Sequence, residues 1–261
     1  MTEPVQIARS LGEDGEILEG IVEGDEIAEV SGLDSMLRGG RRVSGKPKKL
    51  SAVQLLPWGI GRKVVGVGKN YVAHAKEFDG QVPTEPLLLV KVSSSLIGHG
   101  QPIELPPESR EVHYEAELAV VIGKRLRRAS EKECAAAVAG ITCLNDVTAR
   151  DIQRAEGQWT RAKGFDTFCP IGPWVSVGQD WSDLFVLCRV NGTVKQDGRT
   201  RDQIFPVPRL LAFISAGMTL EPGDVVTTGT PEGIGPIEAG DTVEIEVEGV
   251  GVLRNPVVKA G

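Results

Sequence analysis

The chain has 261 residues, enough for one or two domains with a sizeable buried core. Apolar residues make up 41% and charged residues 25%, which excludes a disordered or collagen-like chain. The net charge of -7 repels phosphate backbones, and no apolar run approaches the ~20 residues of a membrane span, so nucleic acid and membrane are excluded as partners.

Residues 1–50 are polar and glycine-interrupted and end in a basic run from Arg41 to Lys49. They read as a small β-rich unit with a linker, giving a first domain over 1–60 and a second over 61–261. Short apolar runs at 64–67 and 87–92, bounded by Gly, Pro and polar residues, predict strands. Alternation over 115–122 predicts a strand with Glu115, Glu117, Ala119 and Val121 on one face and Ala116, Leu118, Val120 and Ile122 on the other. Ser130 and Glu133 form a capping-box pattern, so a helix is expected from there to about Gly140. A strand over 141–144 then runs into Asn145-Asp146. Thr148 as N-cap, Asp151 in the first turn and Gly157 beyond the end predict a second short helix. Residues 184–196 read as a hairpin around Asn191-Gly192, and 208–216 as a helix with Pro208 at its start and Gly217 after it. Strands are expected at 225–228 and 242–247, the latter with Val243, Ile245 and Val247 on one side. The fold class is therefore α+β and strand-dominated.

Several familiar motifs fail. Gly66-Val67-Gly68 follows a strand, but Tyr71 stands where a dinucleotide loop needs its third glycine. Gly68-Lys69 is not a P-loop, since Asn70 follows and Lys63 replaces the first glycine. Cys134, Cys143, Cys169 and Cys188 form no C-x-x-C pair and read as reduced, buried thiols. Asn191-Gly192-Thr193 reads as a tight turn rather than a glycosylation site. The glycine-rich segment 229–235 reads, by itself, as a tight turn.

Three acids carry the chemistry. Glu115 and Glu117 are two apart on a strand, so both carboxylates share a face. Like charges that close raise each other's pKa, and something positive is expected between them. Asp146 emerges at a strand end. Three converging carboxylates make a hard, all-oxygen site suited to Mg²⁺ or Mn²⁺, with coordination positions open to substrate. Taken alone, Glu-x-Glu more often marks a solvated strand face. His74 and Glu77, three apart, become neighbours on a helix and can polarise a water. His99 and His113 read as structural or exposed. Lys163, among small and aromatic residues, is either an exposed loop lysine or a buried cation needing an anion.

Taken together, Gly68-Lys69-Asn70-Tyr71 with His74 and Glu77, Glu115-Ala116-Glu117, Asp146-Val147-Thr148-Ala149-Arg150-Asp151, Lys163-Gly164-Phe165-Asp166 and Thr228-Gly229-Thr230-Pro231 resemble the fumarylacetoacetate hydrolase family. The resemblance runs over about residues 62–256 and is closest to short acylpyruvate hydrolases, oxaloacetate decarboxylases and the 2-hydroxyhepta-2,4-diene-1,7-dioate isomerase group. One departure is Val92, where many relatives carry proline. The resemblance implies a β-sandwich roll or pseudo-barrel, a homodimer, and one Mg²⁺ or Mn²⁺ per active site held by Glu115, Glu117 and Asp146; a cytoplasmic location is expected by default, since no signal-peptide pattern or membrane span is read in the sequence. It implies His74 and Glu77 as an acid/base dyad on a mobile lid, and Lys163 as the cation that stabilises developing negative charge. Gln153, Arg150 and Thr230 are the implied substrate contacts. The expected activity is hydrolysis or decarboxylation of short 2-oxo acids through a metal-stabilised enolate. The alternatives are isomerisation or hydration of unsaturated diacids, and a metal-stabilised scaffold without turnover.

Overall fold

The computed structural model describes residues 3–12, 15–30, 46–77 and 82–261. The start of the expected basic linker, from Arg41 to residue 45, and residues 78–81 of the expected lid lie outside the described residues.

Strands dominate, and the longest described helix has 11 residues. The largest sheet has eleven strands. Its order runs Lys48–Lys49, Glu26–Glu29, Ile17–Glu23, Val5–Leu11, Cys169–Val177, Val138–Asn145, Ala116–Ile122, Val225–Thr227, Val64–Gly68, Leu87–Lys91, with Leu96–Ile97 beside Cys169–Val177. The first strand of the chain thus pairs with a strand from its middle, Val5 opposite Val177. A five-stranded sheet runs Thr193–Arg199, Phe185–Val190, Thr242–Val247, Gly251–Lys259, Ile103–Leu105. Thr148–Ala149, Val112–Tyr114 and Gly235–Pro236 make a third, small one. Antiparallel pairs prevail, with parallel ones at Val225–Thr227 against Val64–Gly68, at Gly251–Lys259 against Ile103–Leu105 and at Cys169–Val177 against Leu96–Ile97. The strand orders are open-ended; among the described residues no sheet closes into a barrel. Nor is any described helix long and apolar enough to cross a membrane.

The strand Ala116–Ile122 sits at the centre, and all seven of its residues are buried. The two-residue period sends its side chains to two different cores. Ala116, Leu118, Val120 and Ile122 enter the larger one, with Val186, Ile245 and Leu253 of the five-stranded sheet. Ala119 and Val121 enter the second, with Ile7, Leu144, Ile171 and Val225. A strand buried on both faces reads as a near-continuous apolar run, which this one is after Glu117.

The hairpin turns at Asn191 and Gly192, both at positive φ (52° and 77°), as its sequence predicts. All four cysteines are free and buried. Other elements depart from the sequence reading. The capping box at Ser130 forms in both directions, but its helix covers only Glu131–Ala135. Residues from Val138 onward are already in the sheet, and Gly140 lies opposite Val121. A Cβ on Gly140 would stand 2.5 Å from the Val175 side chain, so this glycine permits close strand approach and does not stop a helix. The next helix is Arg150–Glu156, preceded by Ala149 with no side-chain cap. Thr148 does not cap it; its hydroxyl donates to Asp146 O at 2.8 Å. Cys169–Val177 and Gly251–Lys259 are strands that composition hides, since each carries proline and glycine.

Leu118 is fully buried in the larger core. Leu118→Ala is expected to destabilise the chain by about 2–5 kcal/mol, read as a lower urea midpoint at unchanged slope. A change under about 1 kcal/mol would remove this strand from the centre of the packing.

Candidate functional site

The site grows from one strand register. Ala116 pairs with Asn145 and Glu117 with Leu144. One step further, Asp146 N–H donates to Glu115 O at 2.9 Å, which continues the ladder past its last regular pair. Alternation then turns the Glu115, Glu117 and Asp146 side chains to one face. All three are buried, and one oxygen from each lies within 4.8 Å of the others.

Three carboxylates in so small a space repel one another, and each is compensated differently. Glu115 accepts from Lys163 Nζ at 3.0 Å and from the Arg150 guanidinium. Burial pushes its carboxyl up, but Lys163 and Arg150 outweigh that and hold it well below the usual range. Asp146 accepts from Lys91 Nζ on Oδ1 at 2.7 Å and from Lys163 Nζ on Oδ2 at 2.6 Å. Glu117 accepts from the Gly229 N–H at 2.8 Å, and among the described residues no Lys or Arg pairs with it. Burial first, then the neighbouring Asp146 and Glu115 charges, push its carboxyl well above the ordinary value. A buried carboxylate without a cation, beside two that have them, is where a further positive charge would be stabilised most.

Lys163 ends the short helix Thr160–Lys163, which sequence patterning misses. Its ammonium has three donors, and Glu115, Asp146 and the Thr148 hydroxyl at 2.8 Å take all three. Burial alone would lower its pKa, but Asp146 and Glu115 raise it above the ordinary value. Lys163 is therefore a buried cation, not an exposed loop residue. Arg150 opens the preceding helix, Arg150–Glu156, and besides Glu115 it donates to Gln153 Oε1 at 2.8 Å.

His74 and Glu77 lie on the helix Val72–Glu77, with Nδ1 to Oε2 at 2.8 Å. Burial holds the imidazole below its ordinary value of 6.5, against the pull of Glu115 and Glu77. The other Glu77 oxygen accepts from the Gly233 N–H at 2.9 Å. The glycine-rich segment is thus more than the tight turn its sequence suggests. It holds Glu117 through Gly229 and Glu77 through Gly233. Gly229 sits at φ +89°, and a Cβ there would lie 2.7 Å from Asn70 Cβ.

His74, Glu115, Glu117, Arg150, Gln153 and Lys163 line one cavity of about 150 Å³. Thr230 also lines it, its hydroxyl accepting from Gln196 Nε2 at 2.7 Å. His99 and His113 lie elsewhere: His99 accepts from the Arg254 N–H, and His113 faces Glu111. Sequence reasoning missed Lys91. The available signal was a lysine ending the apolar run 87–90, the same pattern that marked Asp146.

The donor set fits a hard divalent cation. It offers three carboxylates and no sulfur or imidazole, with their oxygens close enough to share one ion.

Residues 63–258 match the family model described as fumarylacetoacetate (FAA) hydrolase C-terminal. A mitochondrial oxaloacetate decarboxylase of Dictyostelium discoideum is 42% identical, over 74% of this chain and 92% of that protein. A human mitochondrial oxaloacetate tautomerase is 45% identical, over 75% of this chain and 66% of that protein. The crystal structure of 2-hydroxyhepta-2,4-diene-1,7-dioate isomerase from Mycobacterium marinum superposes with a TM-score of 0.88 at 41% identity, covering 98% of this chain and 99% of that one.

Replacing Lys163 leaves two buried carboxylates with one cation fewer. Lys163→Met is expected to destabilise the metal-free chain by about 3–5 kcal/mol in urea unfolding, and Mg²⁺ is expected to stabilise this variant more than the unsubstituted chain. Equal stability with and without Lys163 would show that its ammonium does not balance the acids.

Proposed function

The chain belongs to the fumarylacetoacetate hydrolase family, and on that premise we propose that it is a divalent-metal-dependent enzyme cleaving or decarboxylating short 2-oxo acids of the oxaloacetate or acylpyruvate type. One observation carries the reading: Glu115 and Glu117 of a buried carboxylate trio and His74 of a His–Glu dyad line the same small cavity, with Asp146 and Glu77 held directly behind them. The oxaloacetate decarboxylase and tautomerase among the relatives favour the same substrates.

Glu115, Glu117 and Asp146 would hold the ion, with Mg²⁺ and Mn²⁺ as the species such oxygens prefer. When bound, it supplies Lewis-acid stabilisation of negative charge on the substrate's 2-oxo oxygen. Lys163, bonded to two of the three acids, adds a fixed positive charge to the same region. Arg150, Gln153 and Thr230 line the cavity and are assigned to substrate contact. His74 is the base. Its Nδ1 faces Glu77, so Nε2 is the atom that takes a proton from water. Glu77 fixes the ring and favours the imidazolium as it forms. Hydrolysis of an acylpyruvate needs that water to attack the distal carbonyl. Decarboxylation does not, since carbon dioxide leaves unaided.

A second reading, isomerisation of unsaturated diacids, is favoured by the Mycobacterium marinum isomerase, whose chain this one covers almost completely. There His74 would move a proton between carbons. Oxaloacetate, acetylpyruvate and a hydroxymuconate-type dienoate, each assayed with Mg²⁺ and with Mn²⁺, separate the two. Pyruvate release from the first two supports the main reading. An absorbance change of the dienoate without cleavage supports the second.

Glu117→Ala is expected to lose Mn²⁺ binding and at least about a hundredfold in kcat/KM. Activity that survives both this change and a chelator would reject the metal site. His74→Ala is expected to lower acetylpyruvate hydrolysis by about 10²–10⁴-fold and oxaloacetate decarboxylation far less. Because His74 acts neutral and its pKa is lowered, the acid limb of kcat/KM for acetylpyruvate is expected below pH 6.5. Activity holds above that limb and falls as pH drops through it. A limb above 6.5, or equal losses on both substrates, would remove the imidazole from the role of base.

A further inference from the structure

Lys91 ends the edge strand Leu87–Lys91, and its side chain has 0% exposure. Its ammonium donates to Asp146 Oδ1 at 2.7 Å and to Val147 O at 3.3 Å. Burying a second ammonium against Asp146 is costly, because Lys163 already donates to the other oxygen of that carboxylate. Pairing alone does not require it. Lys91 is not among the residues that line the cavity, and its ammonium reaches the site through Asp146.

The charge balance of the site gives it a purpose. The buried set holds three carboxylates and three side-chain cations, Lys91, Lys163 and Arg150. With a dication added and all three acids ionised, the set carries a surplus of two positive charges. Without Lys91 the surplus is one. The neighbouring charges do not alter this: Glu77 backs His74, Lys69 lines the cavity with the opposite sign, and Arg154 is paired with Glu111. Oxaloacetate-type acids carry two negative charges, and simple 2-oxo monoacids carry one.

We propose that Lys91 is a specificity-determining positioning residue: acting through Asp146, it raises the charge of the metal-loaded site so that dianionic 2-oxo acids are selected over monoanionic ones. The proposal rests on the metal-dependent reading above. It also fixes the role of the contact geometry. Lys91 holds Oδ1 and Lys163 holds Oδ2, so each oxygen of the Asp146 carboxylate has its own ammonium, which fixes the carboxylate plane.

The test uses the full-length chain stripped of metal. Mn²⁺ affinity is read from the electron paramagnetic resonance signal of the free ion. Oxalate, a dianion, and oxamate, its monoanionic isostere, are then titrated calorimetrically into the Mn²⁺-loaded protein. A unit charge lost within several ångströms, in a partly screened interior, lowers affinity for a dianion by about tenfold or more. Lys91→Met is therefore expected to weaken oxalate by at least about tenfold and oxamate by less, with Mn²⁺ affinity held within about threefold or tightened. Lys91→Gln, which keeps a donor for Asp146 without the charge, is expected to behave as Lys91→Met. Lys91→Arg, which keeps the charge, is expected to retain more of the oxalate affinity than either. In the unsubstituted protein, the preference for oxalate over oxamate is expected to exceed that of aqueous Mn²⁺ by about tenfold, a measurement that needs no variant to fold. Oxalate affinity unchanged in the neutral variants, Mn²⁺ affinity weakened beyond that margin, or a preference no greater than that of the aqueous ion would each overturn the role of Lys91. Failure of the unsubstituted protein to bind Mn²⁺ would instead overturn the metal-dependent reading itself.

Discussion

One hydrogen bond past the end of a ladder sets the site. The pairing of Ala116–Ile122 with Val138–Asn145 continues through Asp146 N–H to Glu115 O. That step brings a carboxylate from each strand to the same height, and alternation adds Glu117 on the same face. A slip of one residue would turn these side chains to the opposite face. The register is protected by burial. Both faces of Ala116–Ile122 are packed, so a slip would also push Leu118 and Val120 out of one core and Ala119 and Val121 out of the other. The apolar half of the strand therefore holds the acidic end in place.

Concentrated negative charge in a buried space needs local compensation, and the chain supplies it from separate elements. Lys91 comes from an edge strand, Arg150 from the first turn of a helix and Lys163 from the end of another. None is close in sequence to Glu115 or Glu117. Compensation is incomplete at Glu117, which among the described residues receives only the Gly229 N–H. Partial neutralisation is what a cation site requires. Full pairing would leave a dication nothing to gain, and no pairing would leave the apo fold strained by three like charges.

The sequence made some of this legible for physical reasons. Period-two alternation carries the facing of Glu115 and Glu117, because strand geometry is local. The Ser130 capping box and the Asn191-Gly192 turn are local too, and both form. Long-range demands were not legible. Gly140 looks like a helix stop, yet it is a strand position crowded by Val175. Thr148 looks like an N-cap, yet its hydroxyl serves Asp146 and Lys163. Lys163 on its own sequence is either exposed or buried; only the convergence of two acids and a hydroxyl decides. Lys91 escaped notice because a lysine after an apolar run is as ordinary at a solvent-facing strand end as it is unusual against a buried aspartate.

The segment following Thr228 links the two halves of the site through backbone rather than side chains. Its Gly229 N–H reaches Glu117 and its Gly233 N–H reaches Glu77, four residues apart. Tyr114, from the strand just before the acids, donates to Gly233 O at 3.0 Å and closes the connection. The base and the acids are therefore registered against one short stretch of main chain. Glycine is required at 229, because φ is positive and Asn70 stands where a side chain would go. Asn70 is itself held by Phe205 and Thr228, so the obstacle cannot move aside. A displacement of this segment would misplace Glu117 and Glu77 together, which couples the cation-binding end of the cavity to the proton-transfer end by geometry alone.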